Sequence, residues 1–417
     1  MKIKRDKYLN SLIESKHNGL VKVITGIRRC GKSYLLFNLF REHLREAGVP
    51  DSHVIAAQLD LRSARKLRDP DAMLDYVNER IVDSDMHYVL LDEVQLLPEF
   101  VEVLNELLAN PAVDVYVTGS NSRFLSKDII TEFRGRGDEV HIFPLTFAEF
   151  MQTRQDDALH AWADYVEYGG LPLVATMASE ERKASYLSNL FEETYVKDIV
   201  ERNGLRKTQE LEDLIDILAS ATGSLTNAPK IQATFRSVLH SDISVNTVHS
   251  YINCLEDAFL VSEAKRYDIK GRKYIGAPMK YYFEDVGLRN ARLNFRQVEE
   301  THLMENVIYN ELRARGLSVD VGVVTKRFTD ADGKRVTSTL EVDFVANLGS
   351  KRYYIQSAYA LPDAAKREQE SASLLRIGDS FKKIIIVKDV VNTTRDESGI
   401  VTMGLFDFLL DPNSLDK

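Results

Sequence analysis

Cysteine is almost absent from this chain: its 417 residues hold two, Cys30 and Cys254. Two distant thiols cannot build a disulfide framework or a zinc cluster of closely spaced ligands. Long apolar runs are missing as well. Every uncharged apolar stretch falls far short of the ~20 residues that span a bilayer, so no membrane partner is expected. The opening segment MKIKRDKYLN is charged, with no apolar stretch behind it, and does not read as a signal peptide. A soluble, cytoplasmic protein is the expectation. Low-complexity tracts are lacking too, and the composition, 44% hydrophobic and 28% charged, is that of an ordinary globular protein. Positive charge is in deficit, 54 Lys and Arg against 63 Asp and Glu, for a net charge of −9. That excludes coating nucleic acid with the whole surface but leaves room for a local basic patch. The length exceeds one compact core, so about two to four domains are expected.

What is present begins with TGIRRCGKS, residues 25 to 33. The preceding VKVIT is β-branched and apolar, as a short buried strand would be. The following SYLLFNLFREHL places Leu35, Leu36, Leu39, Phe40 and Leu44 at helical spacing. Gly26-Ile27-Arg28-Arg29-Cys30-Gly31-Lys32-Ser33 thus lies between a strand and a helix. There the two glycines allow a tight turn, and loop amides with the helix N-terminus face phosphates. Lys32 would reach the β- and γ-phosphates, and the Ser33 hydroxyl would bind Mg²⁺. Cys30, beside Arg29 and a helix N-terminus, is expected to favour the thiolate, with a partly buried, unreactive thiol as the alternative.

The partner segment is HYVLLDEVQ, 87 to 95. Its apolar residues Tyr88 to Leu91 run into two carboxylates at a strand end. Asp92 would hold Mg²⁺ through water, and Glu93 would polarise the attacking water. An acidic pair at a strand end is also a common solvated cap; its place after a phosphate loop favours the catalytic reading. A third strand, VDVYVTGSNS (113 to 122), again ends in small polar residues. Ser120 and Asn121 are the candidates for a polar contact near the γ-phosphate.

Taken in order, GIRRCGKS, LLDEVQ, TGSNS, FRGRGDEVHIFPLTFAEF and YGGLP resemble the bacterial and archaeal AAA+ ATPases that carry a C-terminal domain of unassigned function. The resemblance covers nearly the whole chain. It implies ATP and Mg²⁺ as cofactors and a five-stranded sheet in the order 5-1-4-3-2. It also implies a homo-oligomer, such as a hexameric ring, in which one subunit's arginine completes its neighbour's site. The matching arginines are Arg134 and Arg136 in FRGRG, though two solvated arginines beside a turn would read the same way. Arg5 and Tyr8 precede the phosphate loop at a distance suited to an adenine pocket.

Beyond residue 150 the pattern turns helical, with Pro172 in YGGLPLV as the main break, like the small lid that follows an AAA+ core. From 228 to 284 the order is helix (APKIQATFRSVLH), turn, helix (VNTVHSYINCLEDAF, capped by Ser244) and a hairpin, which reads as a winged helix. The hairpin segment KRYDIKGRKYIGAPMKYY carries six basic residues against one acid. Arg266, Lys270, Arg272 and Lys273 are its candidate DNA contacts, and protein docking is the alternative use of such a module.

The rest is α/β and looks like the restriction-endonuclease fold. There, a helix glutamate, a strand aspartate and a Glu-x-Lys on the next strand hold Mg²⁺ and activate water. Glu305 and Asp343 match the first two, but Gln356 and Ala358 stand where the last pair should be. DNA binding without cleavage is therefore expected. The anticipated fold class is α/β: an AAA+ P-loop NTPase core at 1–150, a helical lid at 151–220, a winged helix at 221–292 and a restriction-endonuclease-like domain at 293–417. The anticipated function is an ATPase coupled to DNA engagement, including branched or broken DNA. The alternative is an ATP-dependent switch whose C-terminal domains bind proteins, and a small-molecule kinase is a remote third.

Overall fold

A computed structural model describes residues 2–119, 137–205, 207–329, 335–388 and 392–417, with backbone alone at 326–329 and 335–337. The chain divides into two compact units, residues 1–144 with 257–259, and 145–256 with 260–417. Among the described residues no helix is long and apolar enough to cross a membrane.

The first unit is built on a five-stranded sheet of β1 (Val21–Thr25), β2 (Val54–Gln58), β3 (His87–Asp92), β4 (Val113–Thr118) and β5 (Gly137–His141). The order is β2-β3-β4-β1-β5 with every pair parallel, so the expected 5-1-4-3-2 arrangement is what forms. Parallel strands need both faces covered, and β1, β3 and β4 are buried at every position. On one face Val23, Val89, Leu91, Val115 and Val117 pack with Met73 and Val77 of helix Pro70–Asn78 and Leu104 and Leu107 of helix Phe100–Leu108. Each such side chain, fully buried, contributes about 1.5–3 kcal/mol. The charged residue inside β1 is Lys22, fully buried and ion-paired with Asp114 of the neighbouring β4. Tyr116 donates to the same carboxylate at 2.9 Å, so the pair is doubly held.

The second unit opens with helices. Gly169 has φ +75°, and a Cβ there would stand 2.3 Å from Asp285 Oδ1. At Gly287 a Cβ would meet the Tyr168 carbonyl at 2.0 Å. The YGGLP motif is therefore a close crossing of two backbones, closed by the buried Asp285, which accepts the Gly170 N–H at 2.8 Å and the Leu288 N–H at 2.9 Å. Helices Ala228–Ser237 and Val245–Asp257 follow, the second started by Ser244, whose Oγ accepts the Thr247 N–H at 3.0 Å. Val248, Ile252 and Leu255 are buried as the spacing predicts, while Phe259 lies past the helix end and is half-buried.

The hairpin β6 (Val261–Asp268) and β7 (Lys273–Phe283) does not stand apart as a wing. It joins β8 (Ser318–Thr329), β9 (Arg335–Leu348), β10 (Lys351–Ala358), β11 (Lys382–Val387), β12 (Thr394–Arg395) and β13 (Ile400–Gly404) in one eight-stranded sheet, ordered β12-β13-β11-β10-β9-β8-β6-β7. The seam is β6 against β8, parallel, with Arg266 opposite Val321 and Asp268 opposite Val323. The anticipated boundaries at 220 and 292 thus fall inside one compact unit.

Candidate nucleotide-binding site

The phosphate loop bridges β1 and a helical run over 32–46, whose middle turns, Leu35–Phe40, are π-type. Its first glycine is dictated by contact: Gly26 has φ +135°, and a Cβ there would stand 2.2 Å from the Ile142 carbonyl oxygen. Gly31, with φ 106°, is the left-handed residue at which the helix begins. Within the loop Ile27 and Cys30 are buried, Arg28 is half-buried and Arg29 is exposed. Cys30 is a correction to the expected reactive thiolate. Its sulfur is fully buried beneath Gly26, so only its backbone is left to face a phosphate.

Lys32 is 5% exposed and donates to the carbonyls of Gly26 at 2.8 Å and Ile27 at 2.9 Å. An ammonium has three protons; two anchor it to the loop and the third is left for a ligand. Next to it, the Ser33 hydroxyl donates to Asp92 Oδ1 at 3.1 Å. Both are oxygen donors of the kind Mg²⁺ prefers, and they converge from the helix start and from the end of β3, so this pair fits the ion that the loop motif implies. Burial pushes the Asp92 carboxyl above its ordinary range; hydrogen bonds from Thr118 and Ser33 pull it back, and the Glu93 charge pushes it up again.

Thr118, the last residue of β4, is the functional side chain that sequence reasoning passed over. It donates its hydroxyl to Asp92, and the same oxygen accepts the Glu93 N–H at 3.0 Å. Glu93 itself sits in the left-handed region at φ 52°, immediately past β3, with the Gln95 amide donating to its carboxylate. The two acids are thus held in place by the neighbouring strand. Ser120, Asn121, Arg134 and Arg136 lie outside the described residues. Arg5 is buried and donates to the Cys30 carbonyl at 3.1 Å and the Phe143 carbonyl at 2.7 Å, with its guanidinium 4.7 Å from the Tyr8 ring centroid. It braces the loop through backbone carbonyls.

One more group in this unit, His53, Asp83 and His87, brings metal-capable atoms within 4.8 Å of one another. The rings are stacked, 22° apart with centroids at 4.3 Å, so their lone pairs run side by side and do not converge. His87 Nε2 accepts the Val82 N–H at 3.1 Å and Nδ1 meets the Asp85 carbonyl at 2.8 Å, which uses both nitrogens. The cluster is a hydrogen-bonded bracket at the start of β2 and β3.

In the second unit Lys270, Arg272 and Lys273 are exposed at the β6–β7 turn, which Asp268 closes by accepting the Gly271 N–H at 2.9 Å. Arg266 lies within β6 and is half-buried, so it is less available than the other three. Glu305 and Asp343 do come together. The cation beside them is Lys280 of β7, whose Nζ is 2.8 Å from Glu305 Oε1, 2.7 Å from Glu341 Oε1 and 3.9 Å from Asp343 Oδ1. Tyr282 donates to Glu305 at 2.5 Å, and the Ser357 N–H to Asp343 at 2.8 Å. Burial and the Glu305 charge push Asp343 up to about 8. Burial works against the charged form of Lys280, yet the Glu305, Asp343 and Glu341 charges together raise it. Gln356 is engaged by the Ser373 hydroxyl at 3.5 Å, and Ala358 is buried.

A strand, a glycine-punctuated loop with an anchored lysine, a Ser–Asp oxygen pair and a parallel 5-1-4-3-2 sheet are the parts of an AAA-type P-loop core. The description "AAA domain" matches residues 18–151, and a "domain of unknown function" matches 159–299. An "Uncharacterized protein" of Haemophilus influenzae is 32% identical over 414 residues, 98% of each chain, and this protein belongs to the same family. A second relative, an uncharacterized protein of Methanocaldococcus jannaschii, is 26% identical over 390 residues, covering 88% of this chain and 81% of that one. Among solved structures, the Walker-type ATPase of Pyrococcus abyssi superposes with a TM-score of 0.51 at 14% identity, covering 70% of this chain and 96% of that chain, and shares its fold.

Proposed function

We propose that the chain hydrolyses ATP and couples the cycle to engagement of DNA. The observation that carries the first half is the convergence of Lys32, Ser33, Asp92 and Glu93 at the ends of β1 and β3. Lys32 would neutralise the β- and γ-phosphates, Ser33 and Asp92 would hold Mg²⁺, and Glu93 would orient and deprotonate the attacking water. Bound Mg²⁺ supplies charge stabilisation to the phosphates. Arg134 or Arg136 of a neighbouring copy completes the site in a homo-oligomer, and Ser120 or Asn121 reads the γ-phosphate.

The DNA half is supported by Lys270, Arg272 and Lys273, exposed together on one turn of an acidic protein. Three neighbouring cations at one hairpin turn suit a phosphate backbone. On this reading residues 151–220 act as the lid, 221–292 as a winged helix whose hairpin is built into the C-terminal sheet, and 293–417 as a nuclease-type fold that binds without cutting.

The test is ATP turnover in the presence of single-stranded, duplex and junction DNA, beside fluorescence anisotropy of the same DNAs. Stimulated turnover, with binding that weakens in Arg272→Ala/Lys273→Ala and loses about one unit of salt dependence per lost phosphate contact, is the expected result. Turnover indifferent to every DNA, with binding unchanged in the double variant, would assign the hairpin to protein docking.

A further inference from the structure

The resemblance of the C-terminal region to metal-dependent nucleases implies a divalent ion at Glu305 and Asp343, and the donor set found there does not fit one. Lys280 stands where the ion would be. Its side chain is 4% exposed, and Nζ makes contacts of 2.8 and 2.7 Å to Glu305 Oε1 and Glu341 Oε1, with Asp343 Oδ1 on the third side at 3.9 Å. Other donors hold the same carboxylates: Glu305 Oε1 also accepts Tyr282 at 2.5 Å, and the far oxygen of Asp343, Oδ2, accepts the Ser357 N–H at 2.8 Å.

We infer that Lys280 is the permanent cation of this centre, an internal ammonium that takes the place of a divalent ion and ties the basic hairpin to the C-terminal sheet and helix. The centre joins three elements: Lys280 is on β7, Glu305 on helix Glu300–Ala314, and Glu341 and Asp343 on β9. Magnesium holds oxygens at about 2.0–2.1 Å and tolerates little distortion, whereas these oxygens are spread around a nitrogen at ammonium distances. A divalent ion could enter only by sitting against a buried positive charge, or by displacing it from the three carboxylates around it. The consequence is a clamp. The strand that carries Lys273 at its start carries Lys280 further along, so the cationic turn is mounted on a fixed base.

A metal site and a clamp would use the same carboxylates differently. In a metal site, removal of the lysine leaves the ion bound. In a clamp, removal of the lysine creates a vacancy of three acids that a divalent ion can fill.

Mn²⁺ binding to the full chain without nucleotide, followed by electron paramagnetic resonance, tests this. Wild type is expected to show no Mn²⁺ site that depends on Asp343, and its thermal midpoint is expected not to move with Mn²⁺. Lys280→Met is expected to melt lower in EDTA, to gain one site at least about tenfold tighter than any in wild type, and to recover its midpoint with Mn²⁺. A wild-type site abolished by Asp343→Asn but retained in Asp92→Asn would overturn the inference, as would a folded Lys280→Met that binds no ion. Should Lys280→Met fail to fold, Glu341→Gln keeps the ammonium on Glu305, and a gain of Mn²⁺ binding there would also refute it. The wild-type titration decides by itself whether the centre holds an ion.

Discussion

The hydroxyl of Ser33 donates to Asp92 Oδ1 at 3.1 Å across 59 positions of sequence. That contact joins the start of the phosphate-loop helix to the end of β3, and Thr118 fixes the β3 side by binding both Asp92 and the Glu93 amide. Thr118→Val keeps the shape and removes the hydroxyl, leaving a carboxylate and an N–H each short of a partner. Turnover should fall about 10- to 100-fold, while ATP affinity by calorimetry stays near wild type, because Lys32 and the loop amides are untouched.

Glu93→Gln should cost more, about 10²- to 10⁴-fold, and leave the protein loaded with ATP, whereas Lys32→Ala should abolish binding. Steady-state hydrolysis and retained nucleotide measured on the same samples separate the three variants. Wild-type turnover in Glu93→Gln would remove it as the base.

The phosphate-loop turn was legible because Gly26 to Ser33 are adjacent in sequence and its glycines are forced: Gly26 by the Ile142 carbonyl, Gly31 by its left-handed backbone. The parallel order of β1 to β5 came with the motif resemblance, not from the strands themselves, which all read as apolar runs. Thr118 was visible as a polar residue ending an apolar strand, but its role depends on β4 lying beside β3, which no local pattern states. The same holds for the second sheet. β6 and β7 read correctly as a hairpin, yet the pairing of β6 with β8 is non-local, and β8 itself drew no reading. Lys280 was counted as one of six basic residues on that hairpin; its burial follows from a helix and a strand that come later in the chain. Cys30 failed in the opposite direction. Its neighbours favour a thiolate, but Gly26 packs over the sulfur.

Arg134 and Arg136 carry a prediction that needs two copies of the chain. Arg134→Ala or Arg136→Ala should cut turnover by about 10³-fold or more and spare ATP affinity, if an arginine acts across an interface. Mixing that variant with Lys32→Ala should restore part of the activity, since each supplies the half that the other lacks. No recovery at any mixing ratio, with mixed oligomers confirmed by native mass spectrometry, would eliminate an arginine supplied in trans.

Burial of Cys30 replaces rapid modification with slow labelling. In the native protein, iodoacetamide should modify Cys30 far more slowly than a free thiol, at a rate limited by opening of the loop region. ATP should slow it further by holding the loop closed. Labelling at the rate of an exposed peptide thiol would mean that the loop does not cover the sulfur in solution.

Asp285 supplies the last prediction, a dependence of stability on pH. The carboxylate is fully buried behind Gly169 and Gly170, and burial pushes it up to about 6 although the Gly170, Leu288 and Gly287 amides favour the charged form. In the unfolded chain an aspartate titrates near 3.9. Below that value both states hold the proton, and the group adds nothing to the pH slope. Between about 4 and 6 the unfolded state has released the proton and the folded state keeps it, so stability falls as pH rises. Above about 6 both states are ionised, and the loss levels off at roughly 3 kcal/mol. Asp285→Asn still offers an oxygen to the Leu288 amide but cannot ionise. The difference in unfolding free energy between wild type and Asp285→Asn should therefore shrink, or turn further against wild type, by about 2 kcal/mol from pH 4 to pH 7. Contributions from other titrating groups cancel in that difference. Trp162, the only tryptophan in the chain, is buried in helix Ala158–Tyr168 just before the glycine crossing, so its fluorescence reports unfolding of the unit that holds Asp285. Urea titrations at four pH values between 4 and 7 give the slope. Two curves that stay parallel throughout would show that Asp285 is not held in a site that resists its charge.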